Sequence, residues 1–310
     1  MIVKNEEQRL EACLNSLKSI ADEFIIVDTG STDRTKEIAA IYTNQIYDFP
    51  WTGSFSDARN FAFSKAGMDY IYSADADETL DLENQKKFLQ LKRALLPEIE
   101  IVQMYYCNQL ENNTIYSYDK EYRPKLYKRV RQFVWRENIH EAVQLEPVVY
   151  DSDIEIIHSP SGNHGARDLA AFEKLVAEKQ PISQRLLEIY AKELMIVGTE
   201  ENFFRAISYF DHIIETTEDE TTLLQATAVV AKAFRLKKDP VNFFKYVLKA
   251  MVLGGCSEIC YEIAEFYREA GDREEANMWY YNAAEETHAV LALCYEKELP
   301  AKRMQERENA

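Results

Sequence analysis

The chain has 310 residues, is 46% hydrophobic and carries a formal net charge of −17. That is room for two domains or one large one, with enough apolar content to exclude wholesale disorder. So acidic a balance excludes unassisted nucleic-acid binding, and an anionic substrate would need a metal or a local basic patch.

From the start, Ile2-Val3 is a stub of strand running into Lys4-Asn5-Glu6-Glu7. Leu10, Cys13, Leu14, Leu17 and Ile20 then fall on one helical face. Residues 23–27, Glu-Phe-Ile-Ile-Val, form a continuous apolar strand of the kind buried on both faces. It ends in Asp28-Thr29-Gly30-Ser31-Thr32-Asp33, rich in turn formers and in side chains that cap a helix start. Another short strand lies within 42–49. Strands alternating with helices predict a largely parallel α/β sheet, whose ligands bind beyond the strands' carboxyl ends. Asp28 sits at such an end. In the next helix, Ala58, Phe61 and Ala62 suit a packed face while Arg59 projects elsewhere. An Arg there either forks onto a diphosphate or pairs with a nearby carboxylate.

The apolar run Tyr70 to Ala74 breaks into Asp75-Ala76-Asp77-Glu78. Strand alternation would point Asp75 and Asp77 to one side, two hard oxygen ligands suited to Mg²⁺ or Mn²⁺. An acidic loop that solvates a strand end is the plainer reading.

Four stretches carry a resemblance: residues 1–7, residues 26–33, Asp57-Ala58-Arg59-Asn60, and Asp75-Ala76-Asp77-Glu78. Their order and spacing resemble a family 2 glycosyltransferase with a GT-A fold. The resemblance implies a Rossmann-like mixed sheet flanked by helices, with sugar transfer from a nucleotide sugar, usually with inversion, using Mn²⁺ or Mg²⁺. By it, Asp28 contacts the uracil or ribose, Glu6 lies beside the base, and Arg59 lies by the base and diphosphate. Asp75 approaches the ribose or metal, and Asp77 ligates the metal. Val3, Asn5, Gly30, Ser31, Asp33 and Ala76 complete the expected nucleotide-sugar set. The first strand is shorter than the family's, so either the start is truncated or another segment covers the gap.

Further on, residues 100–108 read as a strand, and residues 114–118 as a hairpin return after the turn at Asn112-Asn113. Arg123-Pro-Lys-Leu-Tyr-Lys128 is a basic, aromatic segment in an acidic chain. Arg123, Leu126, Tyr127, Trp135, His140 and Glu141 resemble the family's acceptor-side pattern. A one-step displacement needs a base for the attacking group. Glu141 is the expected base, ahead of Asp119 and Glu137, with Arg123, Trp135 and His140 on the acceptor side. Trp135 either stacks on a sugar ring or is a core residue. By the same likeness His158 is a metal or diphosphate ligand. His164 and Arg167 fall in a Ser/Pro/Gly loop able to close over the donor.

The division is expected at 1–167 for the transferase domain and 168–310 for an all-α domain. Helices are predicted over 169–179, 183–197, 203–216, 221–237, 241–253, 257–270, 273–286 and 288–297, with a frayed end over 302–310. Ala231, Phe234, Arg235, Asp239 and Ala250 recur 33 residues on as Ala264, Tyr267, Arg268, Asp272 and Ala283. This resembles tetratricopeptide repeats, whose curved surface suits a peptide, a protein acceptor or a second copy of the chain as a homodimer. The five cysteines read as reduced thiols, and no leader or membrane span is apparent, so a cytoplasmic location is expected.

The combined expectation is an inverting transfer of glucose or N-acetylglucosamine from a UDP-sugar to a peptide or protein side chain. Transfer to a lipopolysaccharide or capsule sugar is the alternative, followed by an inactive repeat-based interaction protein. A nucleotidyltransferase is disfavoured because Lys4-Asn-Glu-Glu7 stands where a Gly-rich phosphate loop belongs.

Overall fold

The computed structural model describes residues 1–107, 120–131, 135–137, 142–143, 147–159 and 165–305. The chain divides into two compact units, Met1–Asn163 and His164–Ala310.

The first unit is α/β. In chain order it runs β1 (Ile2–Val3), α1 (Leu10–Leu17), β2 (Ile26–Asp28), α2 (Thr35–Ala39), β3 (Ile46–Asp48), α3 (Phe55–Lys65), β4 (Tyr70–Tyr72), β5 (Glu78–Thr79) and α4 (Leu82–Ala94). Then come β6 (Ile101–Cys107), β7 (Glu121–Lys128), β8 (Trp135–Arg136), β9 (Ala142–Val143) and β10 (Val149–His158). Strands β1, β2 and β3 pair in parallel. A mixed sheet in the order β4-β7-β6-β10-β5 follows, and β8 pairs with β9. This is the mixed, helix-flanked arrangement expected of a GT-A-type domain, but its hydrogen bonding is divided. With two residues, β1 is too short to bridge β2 and β4. A cavity of about 390 Å³ lies in that gap, lined by Leu17, Phe24, Phe63, Tyr70, Tyr72 and Leu126 among others.

The helical face expected of α1 is buried: Leu10, Cys13 and Leu14 are 0% exposed. Cys13 and Leu17 join Phe88 of α4 against Val102, Met104, Leu126 and Ile156 of the mixed sheet. Leu10 and Leu14 meet Val3 and Ile26 of the parallel sheet and Ala76 of the turn after β4. One helix thus packs both sheets through different positions of one apolar stripe. The strand expected over 23–27 narrows to Ile26–Asp28, all buried. The helix expected from Ser31 begins at Thr35: Asp33 Oδ1 accepts from Thr35 N at 3.0 Å at its start, while Ser31 Oγ and Asp33 Oδ2 accept from the loop after β1. The hairpin return over 114–118 lies outside the described residues.

The second unit is all helical: α5 (Gly165–Ala177), α6 (Gln184–Val197), α7 (Glu200–Thr216), α8 (Glu220–Leu236), α9 (Pro240–Val252), α10 (Ser257–Glu269), α11 (Arg273–Tyr281) and α12 (Glu298–Gln305). The 33-residue recurrence is visible in the hydrogen bonds. Asp239 caps α9 by accepting from Asn242 N at 3.1 Å, and Asp272 caps α11 from Glu275 N at 3.1 Å. Asp239 N donates to Phe234 O, and Asp272 N to Tyr267 O. The chain turns through positive φ at Lys238 (57°) and at Gly271 (85°), where glycine has no Cβ to strain. Ala231, Ala264, Ala250 and Ala283 are fully buried, which lets successive helices approach closely.

Two expectations change here. Residues 288–297 form no α-helix: Glu258 accepts from the backbone N–H groups of Val290, Leu291 and Ala292, and only a 3-10 turn, Leu293–Tyr295, follows. Backbone donors taken by a buried carboxylate are lost to a helix. Conversely, residues 302–305, expected to fray, lie in α12, where Arg303 Nε donates to Glu265 at 2.9 Å. No helix is long and apolar enough to cross a membrane among the described residues. All five cysteines are free thiols, and four are buried.

Candidate active site

Two loops at the carboxyl ends of β1 and β2 grip each other. Asn5 N donates to Ser31 Oγ at 2.9 Å, Glu6 N to Thr35 Oγ1 at 2.7 Å, and Glu7 N to Asp33 Oδ2 at 3.1 Å. In return, Thr32 N donates to Asn5 Oδ1 at 2.8 Å and Arg34 N to Glu7 Oε2 at 3.1 Å. Asn5 tolerates the φ of 56° that this needs. Asn5, Ser31 and Asp33, expected to touch the nucleotide, are thus engaged in shaping the loops. The Val3 carbonyl accepts from Thr29 N, and the Ala76 side chain is buried in the core, so both support the site from beneath.

Asp28 closes β2 and is 2% exposed. Its Oδ2 accepts from Gly30 N at 3.1 Å and Ser31 N at 3.0 Å, while Oδ1 is buried with no hydrogen-bond partner among the described residues. Gly30 makes this turn at φ 106°. A buried carboxylate oxygen left open is costly in a folded protein unless a ligand donates to it. Glu6 stands nearby as a half-buried carboxyl raised above its ordinary value, first by burial and then by the Asp77 charge.

Strand β4 stops at Tyr72, so Asp75 and Asp77 lie in a turn and strand alternation does not aim them. Asp75 faces two cations. Arg59 Nη2 lies 3.4 Å from its Oδ1 and Lys125 Nζ 3.6 Å from its Oδ2. Burial pulls this carboxyl up, but Arg59 and Lys125 outweigh it and hold it far below the usual carboxylate range. Cys13 Sγ of α1 donates to the Asp75 carbonyl at 3.3 Å. Arg59 also donates to Ser73 Oγ at 2.6 Å. Arg59 thus pairs with a nearby carboxylate in this structure. Glu78 is 2% exposed and hydrogen-bonded by Lys125. Burial, only partly offset by Lys125, pushes its carboxyl up to about 7.

Asp77 is brought instead to His158, the last residue of β10, with Oδ2 3.3 Å from Nε2. The two side chains are 16% and 12% exposed. The His158 ring packs on Tyr106 with centroids 4.8 Å apart, and the Arg123 guanidinium lies 4.1 Å from the centre of the same Tyr106 ring. Arg123 Nε also donates to Glu121 at 2.5 Å. Among the described residues no group of three or more His, Cys, Asp or Glu is arranged to hold a metal. Asp77 and His158 form a pair, one carboxylate and one imidazole, a donor set that would leave most positions of a divalent ion to water and phosphate oxygens.

Trp135 is 8% exposed and joins a small core cluster with Ile101 and Tyr127. Arg59 lies 4.7 Å from its ring centre, and Phe63 and Tyr127 pack at 5.7 and 5.4 Å. Its indole Nε1 is buried without a hydrogen-bond partner among the described residues. Asn60 fixes its backbone at both ends, donating to Trp135 O at 3.0 Å and accepting from Trp135 N at 2.7 Å. Arg167, expected in a loop, lies in α5 and pairs with Asp168 at 2.9 Å. Glu141, His140, Asp119 and His164 lie outside the described residues. Glu137 is described, at φ 69°.

The sequence does not single out Lys125, Tyr106 or Asn60 as site residues. The basic, aromatic segment holding Lys125 and the motif holding Asn60 both stand out in it. Their partners lie 47 and 75 residues away, which no local spacing reveals.

Strand-end carboxylates, a buried Arg paired with Asp75 and an Asp–His pair stand on a GT-A-type α/β domain. Residues 1–146 match the family described as Glycosyl transferase family 2, and this part of the chain is a domain of that family. A Rickettsia typhi protein described as an uncharacterized glycosyltransferase is 31% identical over 51% of this chain and 54% of its own length. The glycosyltransferase SunS of Bacillus subtilis is 28% identical over 80% of this chain and 60% of its own length. A TPR repeat-containing protein of Synechococcus elongatus is 46% identical over 27% of this chain and 21% of its own length. The chain thus spans between a fifth and three-fifths of these relatives. The crystal structure of Mycobacterium tuberculosis glucosyl-3-phosphoglycerate synthase with Mn²⁺ and UDP-glucose superposes with a TM-score of 0.40 at 12% identity. That overlap covers 59% of this chain and 78% of that one, and is too loose to argue from.

Proposed function

We propose that the protein is a metal-dependent inverting glycosyltransferase that moves a sugar from a UDP-sugar to a Ser, Thr or Cys side chain of a peptide or protein. The observation that carries this reading is the Asp77–His158 pair, 3.3 Å apart, beside an Asp75 already neutralised by Arg59 and Lys125. Mn²⁺ or Mg²⁺ held by Asp77 and His158 would supply charge neutralisation for the leaving diphosphate. The open Oδ1 of Asp28 takes a donor from the base or ribose. Arg59, which touches Asp75 on one side and Trp135 on the other, lends its charge to the diphosphate. Glu141 takes the proton of the attacking group, and Arg123 and His140 serve the acceptor side.

The acceptor reading rests on the helical unit. Its stacked helix pairs present an extended surface of the kind that receives peptides. A glycosyltransferase relative that covers 80% of this chain favours the helices as part of the enzyme. Glucose and N-acetylglucosamine are the sugars to test first.

The test is a panel of UDP-, GDP- and TDP-sugars with Mn²⁺ or Mg²⁺, read by thermal shift and by donor hydrolysis. A UDP-sugar is expected to raise Tm only with the metal and to be slowly hydrolysed. Protein that neither binds nor hydrolyses any of them sinks the reading. Transfer to Ser-, Thr- or Cys-containing peptides, compared with saccharide acceptors, then decides the acceptor.

A further inference from the structure

Lys125 is 6% exposed, and a buried lysine is rare unless paired. Its position is made by an irregularity in the sheet. Val102 of β6 pairs with Leu126 of β7, but Gln103 pairs with Pro124, so Lys125 is the unopposed residue of a β-bulge. Pro124 has no N–H to lose there. A bulge re-aims a side chain, and this one aims Lys125 into the turn that carries the carboxylates.

Lys125 Nζ hydrogen-bonds Glu78 Oε1, lies 3.3 Å from Ser73 O and 3.6 Å from Asp75 Oδ2, and sits 5.1 Å from the centre of the Tyr106 ring. From the opposite side, Arg59 holds Ser73 Oγ at 2.6 Å and Asp75 Oδ1 at 3.4 Å. Both oxygens of Asp75 therefore face cations. Two buried cations answer Asp75 and Glu78, and Asp77 is the carboxylate of this turn they leave to His158.

We propose that Lys125 is a positioning residue: it reserves Asp75 and Glu78 for structure, so that Asp77 alone offers a carboxylate from this turn to the divalent ion. It touches neither ion nor donor. The inference rests on the glycosyltransferase reading and deepens it.

The experiment compares wild type, Lys125→Met, Lys125→Arg and the double variant Lys125→Met/Glu78→Gln, which leaves no unpaired buried carboxylate if the single change folds poorly. Mn²⁺ binding to nucleotide-free protein is read by EPR, alongside Tm and donor hydrolysis. Freeing Asp75 adds anionic ligand charge, so Lys125→Met and the double variant are expected to bind Mn²⁺ about threefold more tightly or better. Their kcat should fall about tenfold or more with a smaller change in donor KM. Lys125→Arg, keeping the charge, is expected to recover both. A purely structural lysine would lower Tm without tightening Mn²⁺ binding. Wild type that binds Mn²⁺, with both Met variants binding no tighter, overturns the inference alone. Wild type that binds neither Mn²⁺ nor UDP-sugar overturns the functional reading and this inference with it.

Discussion

The two units hold their buried carboxylates differently. In the helical unit most are held by other groups of the unit, although Glu262 keeps one oxygen, Oε1, without a hydrogen bond among the described residues and 3.7 Å from Lys232 Nζ. Glu265 accepts from Arg268, Tyr280 and Arg303, Glu258 from three consecutive backbone N–H groups, and Glu262 from the buried Arg235. In the α/β unit, Asp28 keeps one oxygen unmet among the described residues and Asp77 meets an imidazole. Carboxylates met by several donors hold helices together, whereas an open oxygen at a strand end, as on Asp28, has room for a ligand's donor. The contrast also separates activity from stability within one chain.

The strongest way to break it is Asp77→Ala. Donor turnover is expected to drop about a thousandfold, near 4 kcal/mol of transition-state stabilisation, with Tm little changed. A large fall in Tm with activity retained would erase the distinction. Arg235→Met in the helical unit is the mirror experiment. It takes from Glu262, which is 1% exposed, its hydrogen-bond donor, leaving Lys232 at 3.7 Å as the remaining cation, and should cost roughly 3 kcal/mol in urea unfolding. Nucleotide-sugar affinity of the folded protein should stay as in wild type.

Acid sharpens the same point. Burial raises the Glu265 carboxyl, but hydrogen bonds from Arg268 and Tyr280 and the Arg303 charge outweigh it and hold it at about 2, against an ordinary 4.5. A depressed carboxylate contributes stability above its unfolded value and loses it as pH falls through the folded one. The contribution, roughly 3 kcal/mol at most, is expected to vanish between about pH 4.5 and pH 2. Melts of Glu265→Gln should lack that acid limb, and an unchanged limb would put the charge elsewhere. The smallest effect expected is for Asn60→Ala, which removes both hydrogen bonds to the Trp135 backbone. It should cost about 1–3 kcal/mol and blunt acceptor transfer more than donor hydrolysis. Equal losses in both assays would mean that Asn60 serves only the fold.

Much of the architecture is legible in the sequence. The apolar stripe of α1 is a period that burial obeys, and the recurrence of Asp239 as Asp272 reappears as two identical caps. The helix expected over 288–297 fails for a reason invisible locally: its N–H donors go to Glu258, some 32 to 34 residues back. The same holds at the site. The order of the motifs singles out Asp28, Arg59, Asp75, Asp77 and His158. Strand alternation misjudges how Asp75 and Asp77 are aimed, because the strand ends at Tyr72 and a turn takes over.

By itself, then, the sequence determined the α/β-then-helical plan, the family of the first 146 residues and the cast of candidate site residues. Periodicity, turn chemistry and motif order are local properties that a chain carries with it wherever it folds. Only the tertiary structure decided which carboxylate is tied down and which is left open. That depends on a bulge at Lys125, a Tyr106 ring under His158 and an Arg59 wedged against Trp135, contacts between residues far apart in the chain. Charges that meet across the fold are assigned by packing and burial, and neither is written in the spacing of residues along a strand or helix.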